Sequence, residues 1–334
     1  MTSDTNATLT GGRGALPRRV LLAAPALLLA RTLHADAAWP SRPVRVIAPT
    51  AAGSGSDNFF RLLTDSMGET LGQPVVVENK AGAGGVIGNE AVARAAPDGY
   101  TIGVLLGSHV MNRYVLRSLP YDPVEDFTPI IHIASTTHML VAHPNAPFKT
   151  ALEMAEMARR QPGKITIGGS EPLSLYGGQL FAHLTKTEIT SVPYRGGAAM
   201  TTDVIAGTIS AAFTTSVSSM PHVQAGRLRA LGVSSPQRSS LMPDIPSLNE
   251  AGIKGFAYGG YFGLMGPAGL PDTAVQRIAE ATRKAVLAPN LQPRLAAMGV
   301  EVNLLDAGRT MELLRQDDAK WAEAARQGLL QKPS

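Results

Sequence analysis

The chain has 334 residues, an apolar share of 44% and no cysteine; its length exceeds what one core usually organises, and the missing thiols exclude a disulfide framework, cysteine-based zinc sites and a cysteine nucleophile. Part of the formal charge of +4 sits in residues 1–37, whose four arginines and two aspartates leave +2 when set aside. No Lys/Arg cluster interleaved with aromatics remains, so the chain shows no nucleic-acid footprint.

The first element is Leu16-Pro17-Arg18-Arg19 followed by an apolar run from Val20 to Ala30 and the small residues Ala35-Asp36-Ala37. This pattern predicts a signal peptide cleaved before Ala38 and a mature protein outside the cytoplasm, exported by either the Sec or the twin-arginine route. The run is too short to span a bilayer, which takes about 20 residues. From Ala38 onward strands and helices alternate. Val44 to Ala48 reads as a buried strand, Pro49 to Ser56 as a Pro, Gly and Ser loop, and Asp57 to Leu71 as a helix with Phe59, Leu63, Met67 and Leu71 on one face. The loop admits two readings: an ordinary connection capped by Ser54 or Ser56, or an anion site on the open amides of the helix N-terminus. Strand Pro74–Glu78 leads to a second glycine-rich connection, Ala81 to Gly88, and a helix through Ala96; strand Thr101–Leu106 ends at Gly107-Ser108-His109. Three successive strand ends thus carry small or polar residues, on the edge where open α/β sheets bind ligands.

Asp126–Ile133 and Met139–His143 read as strands, with Ala134 to His138 as the passage into a second domain. There the alternation restarts: helix 151–160, strand 164–168, the turn Gly169-Ser170-Glu171-Pro172, helix 173–184, strand 190–192, the turn Pro193-Tyr194-Arg195-Gly196-Gly197, a helix to Ala206, strand 210–214 and a loop Thr215–Ser219. After strand 230–234 the segment Gly259 to Met265 reads as a strand returning to the first domain, where helices 271–287, 291–298 and 310–327 pack back. The fold class expected is α/β, with two α/β lobes joined by two crossing segments. Domain 1 is 38–137 plus 260–334 and domain 2 is 138–259, with a cleft between them.

Catalytic signatures are sparse. Gly82-x-Gly84-x-x-x-Gly88 loosely fits a dinucleotide fingerprint, but no acidic residue follows the next strand, and P-loop and nucleophile-elbow spacings do not occur. The histidines at 109, 132, 138, 143, 183 and 222 are scattered, so neither a metal nor a cofactor is expected. Asp317-Asp318 and Glu153/Glu156 read as solvated helix faces. Arg195, just after a strand-end turn, could meet a carboxylate bidentately or sit on the surface. The chain offers anion-cradling backbone more than it offers catalysts, which favours binding over turnover.

Trp39 to Arg45, Pro49 to Asp57, Gly72 to Asn79, Gly82-Ala83-Gly84-Gly85-x-x-Gly88, Ala95 to Thr101, Leu119 to Pro123, Val192 to Gly196 and Gly226 to Leu231 together resemble the Bug family, the TctC-like extracytoplasmic solute receptors of tripartite tricarboxylate transporters. The resemblance runs from about residue 39 to the C-terminus. It implies a monomeric two-lobed periplasmic binding protein, type II-like, that closes on a small organic acid (a di- or tricarboxylate, an aromatic acid or an acidic amino acid) and delivers it to membrane transporter subunits in the periplasm. Carried over position by position, it places Thr50, Ala51, Gly53, Ser54, Ser56 and Asp57 in a first-lobe cradle, Gly84 and Gly85 at the pocket floor, and Ser108 at the third strand end. Ser170, Glu171, Arg195, Gly196 and Thr215 would face them from the second lobe. The chain departs from the family pattern with Thr50 to Ser54 where Phe-Ala-Pro-Gly-Gly is usual, and with Glu171-Pro172 in the second-lobe turn. An inward Glu171 would repel a carboxylate, and Pro172 lacks an N–H donor. Two other uses of the fold stay open on the residues alone: a ligand-sensing module for a membrane signalling partner, and an enzyme with Asp57 or Glu171 as a base.

Overall fold

The computed structural model describes residues 39–330, and residues 8 and 11; apart from those two, the leader expected at 1–37 lies outside the described residues. The elements run β1 (Val44–Ala48), α1 (Gly55–Leu71), β2 (Val75–Asn79), α2 (Val86–Ala93), β3 (Thr101–Leu106), α3 (Asn112–Val115), β4 (Phe127–Thr136), β5 (His138–Ala142), α4 (Ala151–Arg160), β6 (Thr166–Gly169) and α5 (Pro172–Thr185). They continue with β7 (Thr190–Pro193), α6 (Gly197–Ile205), β8 (Ala211–Thr215), α7 (Ser216–Gln224), β9 (Arg229–Val233), β10 (Gly260–Pro267), α8 (Asp272–Val286), α9 (Gln292–Ala297), β11 (Glu301–Leu305) and α10 (Ala307–Arg326).

Two sheets result, one per lobe. The first has the order β11-β4-β10-β3-β1-β2 and the second β7-β6-β8-β5-β9. In the first, β1 pairs in parallel with β2 and β3, while β10 inserts antiparallel between β3 and β4. In the second, β6 is parallel to β7 and β8, and β5 runs antiparallel to β8 and β9. The parallel halves put the ends of β1, β3, β6 and β8, with their loops, on the facing edges of the two lobes, the usual consequence of strand-loop-helix units in one sheet.

α1 forms because Ser54 caps its start, Phe59, Phe60, Leu63 and Met67 give it a buried face, and Gly72, at a φ of 74° that only glycine takes readily, ends it. That face packs on α8, and Phe59 lies 4.8 Å from the Phe262 ring of β10. Each such side chain, withdrawn from water, contributes on the order of 2 kcal/mol. Phe213 of β8 stacks on Phe256, with Tyr258 tilted against that ring, and Tyr176 of α5 meets Trp321 of α10 edge-on at 5.2 Å.

The passage between lobes is shorter than the residues suggest. β4 continues through Thr136, because Ala134, Ser135 and Thr136 pair with Phe262, Tyr261 and Gly260, and β5 opens at His138. Thr137 alone joins them, where the sequence reads a five-residue crossing. The returning segment is laced to it: His138 N donates to Ser234 Oγ (2.9 Å), Ser235 N to Thr137 Oγ1 (3.1 Å) and Tyr258 N to Ser234 O (2.9 Å). Three further details correct the sequence reading. Thr215–Ser219 is not a loop but the capped start of α7; α10 begins at Ala307, because Asp306 accepts from Arg309 N at 2.9 Å; and β11 forms where no strand is expected.

Candidate functional site

Between the sheets lies a cleft of about 620 Å³. Its first-lobe wall is the loop between β1 and α1. There the hydroxyls of Thr50, Ser54 and Ser56 form a cluster: Ser54 Oγ donates to Thr50 Oγ1 (2.8 Å), and Thr50 Oγ1 and Ser56 Oγ are 2.7 Å apart. Ser54 Oγ also accepts from Asp57 N at 3.3 Å, the N-cap bond of α1. The amides of Gly55 and Ser56, at the first turn, have no protein acceptor among the described residues. Open amides at a helix start, with hydroxyls beside them, make a neutral cradle for an anion.

Asp57 holds this loop from behind. Its carboxylate accepts from Gly53 N (2.8 Å), Arg61 Nε (2.9 Å) and Asn79 Nδ2 (2.9 Å), and Asn79 Nδ2 also reaches Thr50 O at 3.1 Å. Burial opposes the charge of Asp57, yet the bonds from Arg61, Gly53 and Asn79 outweigh it and keep the carboxyl below its ordinary range. The residue is 2% exposed and, like Gly53, is not part of the cleft wall. Gly53, at a φ of 76°, shapes the turn that brings its own amide to Asp57.

The next two first-lobe connections also reach the cleft. Gly84 and Gly85 take positive φ (65° and 98°) in a single helical turn ahead of α2, and Asn112 Nδ2 fixes that turn by donating to Gly84 O at 3.1 Å. Beyond β3, Ser108 and His109 line the wall. His109 is fully enclosed, stacked near Tyr121 and bonded through Nε2 to Pro123 O at 2.8 Å; burial pushes its imidazole down to about 4, so it is neutral at ordinary pH.

The second-lobe wall is charged. Glu171, the N-cap of α5, turns its carboxylate onto its own helix, accepting from Leu173 N (3.0 Å) and Ser174 N (2.8 Å), while Ser174 Oγ accepts from Glu171 N (3.1 Å) in a reciprocal capping box. His138 Nε2 donates to Glu171 Oε1 at 2.8 Å from the crossing strand. Arg195, exposed in the turn before α6, has no ion-pair partner among the described residues. Its turn is anchored by Tyr194, whose N donates to Gly169 O (2.8 Å) and whose hydroxyl donates to Asp203 (2.5 Å); burial and that carboxylate push the phenol up to about 12. Thr215 caps α7, donating to Ser218 Oγ at 3.2 Å.

The lobes touch around the cleft at points where side chains are absent or small. A Cβ on Gly55 would stand 2.5 Å from Thr215 Oγ1 and 2.9 Å from Ser218 Oγ; one on Gly84 would stand 3.3 Å from Pro172, and one on Gly196 would stand 3.5 Å from Ala51. Thr50, Ala51, Ser54, Ser56, Gly84, Gly85 and Ser108 thus line one wall, and Ser170, Glu171, Arg195, Gly196 and Thr215 the other. His138, Asn89, Ser218, Tyr261 and Phe262 line it too, though no motif in the sequence singles them out. Among the described residues no group of three or more His, Cys, Asp or Glu is placed to hold a metal, and no helix is long and apolar enough to cross a membrane.

Residues 59–328 match the sequence model of the tripartite tricarboxylate transporter family receptor, TctC. The chain belongs to that receptor family. A relative of this receptor, the UPF0065 protein in the tcbD-tcbE intergenic region of a Pseudomonas species, is 33% identical over 307 residues, 89% of each chain. Among solved structures, the periplasmic binding protein BugD superposes with a TM-score of 0.84 at 29% identity, covering 88% of this receptor and 100% of that chain. MatC from Rhodopseudomonas palustris with bound malate does so at 0.81 and 28%, over 86% of this receptor and 100% of that chain. R. palustris Rpa4515 with adipate does so at 0.82 and 28%, over 86% and 97%. The receptor is therefore a Bug-type solute-binding protein in fold and family, and the two-lobed α/β architecture read from its sequence is the one observed.

Proposed function

We propose that this receptor takes a small carboxylated solute into the cleft, closes its lobes on it without chemical change, and presents it in the periplasm to a tripartite tricarboxylate-type transporter. The open Gly55 and Ser56 amides beside the Thr50, Ser54 and Ser56 hydroxyls carry this reading, because they give an acid donors whose desolvation is already met by the fold. Arg195, on the turn that meets Ala51, adds an exposed positive charge to the cleft wall. The malate and adipate named in two similar structures support a carboxylate as the occupant.

Binding favours the closed arrangement to the extent that the solute is gripped by both lobes at once. Thr137 and the laced Ser234 and Tyr258 segment are the short crossings about which such a motion would turn. Calorimetry of the mature protein against malate, adipate, aromatic acids and acidic amino acids tests the reading; heat from none of them sinks it. Uptake of the bound acid in cells carrying the cognate membrane subunits, absent when the receptor is deleted, tests the transport role.

A further inference from the structure

The α5 terminus differs from that of α1: its backbone donors are already used, and the Ser170 hydroxyl is the donor left on its turn. Ser170 N and Glu171 N both donate to Ser174 Oγ (2.9 and 3.1 Å), Pro172 has no N–H, and Leu173 N and Ser174 N go to the Glu171 carboxylate. Glu171 Oε1 is filled by Ser174 N and His138 Nε2, while Oε2 accepts only from Leu173 N. A carboxylate offers about four acceptor positions, so one on Oε2 remains. Because an ionised Glu171 can only accept, His138 Nε2 carries the proton of that bond, and the buried His138 Nδ1 has no partner. The position of this pair that the cleft can reach, on Glu171 Oε2, is thus an acceptor, since His138 Nδ1 is enclosed. A second carboxylate arriving here would find a like charge and no open backbone amide, with only the Ser170 hydroxyl to donate.

We infer that Glu171, positioned by His138 and the Ser174 capping box, sets the solute class of this receptor: an acid with one carboxylate, whose far end is an N–H or O–H donor, cationic or neutral. The two charges of the cleft wall come from different turns, Arg195 next to Gly196, which meets Ala51, and Glu171 next to Pro172, which meets Gly84. That arrangement orients the solute with its carboxylate toward the β1–α1 loop and its donor toward α5. The inference rests on the carboxylate-receptor reading above and adds to it the identity of the other end.

The test uses matched probes that differ only at the far group: succinate, succinamate and γ-aminobutyrate; adipate, adipamate and ε-aminocaproate; terephthalate and terephthalamate. Affinities are measured by calorimetry on the full mature chain and on Glu171→Gln, whose amide keeps an acceptor for α5 and removes the charge. The wild type is expected to bind the amide or amine member at least about tenfold more tightly than the diacid of the same series, and Glu171→Gln to shrink or invert that ratio. The wild-type ratio needs no variant, and so stands even if the substitution perturbs folding. Tighter binding of the diacid by the wild type, or a ratio that Glu171→Gln leaves unchanged, overturns the inference while keeping the carboxylate receptor. Binding of no probe by either protein removes both.

Discussion

The helices α1 and α5 start alike, each at the end of a parallel strand with its N-terminus on the cleft, and they end up chemically opposite. At α1 the cap is a serine hydroxyl, the first-turn residues are Gly55 and Ser56, and their amides stay unfilled. At α5 the cap is a glutamate whose carboxylate fills the first turn from within the chain. A helix N-terminus draws an anion through its open amides and its dipole, so it serves as a ligand site only where the chain has not supplied an anion of its own. The α1 start therefore offers donors and the α5 start an acceptor, and that asymmetry gives the two helix ends opposite polarity at the cleft.

The largest effect comes from breaking the approach of the two lobes at α1. Gly55 has an ordinary φ, and the atoms a side chain would strike, Thr215 Oγ1 and Ser218 Oγ, belong to the other lobe. Gly55→Leu should therefore leave the separated lobes folded while preventing their closure, lowering solute affinity by about two orders of magnitude, ~3 kcal/mol, in calorimetry. An unchanged affinity would mean that the α1 wall is not gripped on closure.

A nearly equal effect on stability follows from the neutral first-lobe wall. The folded chain protonates His109 only near 4, against 6.5 for the free side chain, so the unfolded state takes up a proton first as pH falls. Stability is then complete above 6.5, declines between 6.5 and 4 by up to about 3 kcal/mol, and levels off below. His132 and His222, whose imidazoles burial also pushes down, act in the same direction. Denaturant melts across this range should show the slope, and His109→Phe should flatten most of it at the cost of the bond to Pro123.

Next in size is the bracing behind α1. Asp57→Ala releases Gly53, Arg61 and Asn79 together and should cost about 2 kcal/mol in stability, with a roughly tenfold loss of solute affinity because the Thr50 loop loses its tie through Asn79. Retained affinity with lowered stability would separate the brace from the cradle.

These residues also show where the sequence speaks and where it is silent. The β1 strand, the glycine turns and the helical stripe of α1 are local patterns and legible, and the cap of α1 is narrowed to Ser54 or Ser56, of which the fold uses Ser54. The family resemblance places Asp57 in the cradle; its partner Asn79 lies 22 positions away, a distance that no spacing rule reports. Glu171 and His138 are likewise 33 positions apart, and they meet only because β5 and β6 flank β8 in one sheet. The start of α7 is hidden by Ser216, Ser218, Ser219 and Pro221, poor helix formers that Thr215 nevertheless caps. The single-residue crossing at Thr137 is invisible for the opposite reason, since β-forming residues run through it without a break.

The smallest effect is the most selective for α5. Ser174 Oγ accepts from two amides and donates to Glu171 O at 2.8 Å, so Ser174→Ala opens the capping box while leaving the Glu171 carboxylate on Leu173 N and Ser174 N. The loss should be about 1 kcal/mol of unfolding free energy, seen as a lowered denaturant midpoint with an unchanged slope, the ordinary worth of a helix cap. Because the acceptor charge stays in place, affinity for a diacid should not rise. A clear gain of diacid binding in Ser174→Ala would show that the freed Ser170 and Glu171 amides, rather than the Glu171 charge, set what the second lobe accepts, and α5 would then behave as α1 does.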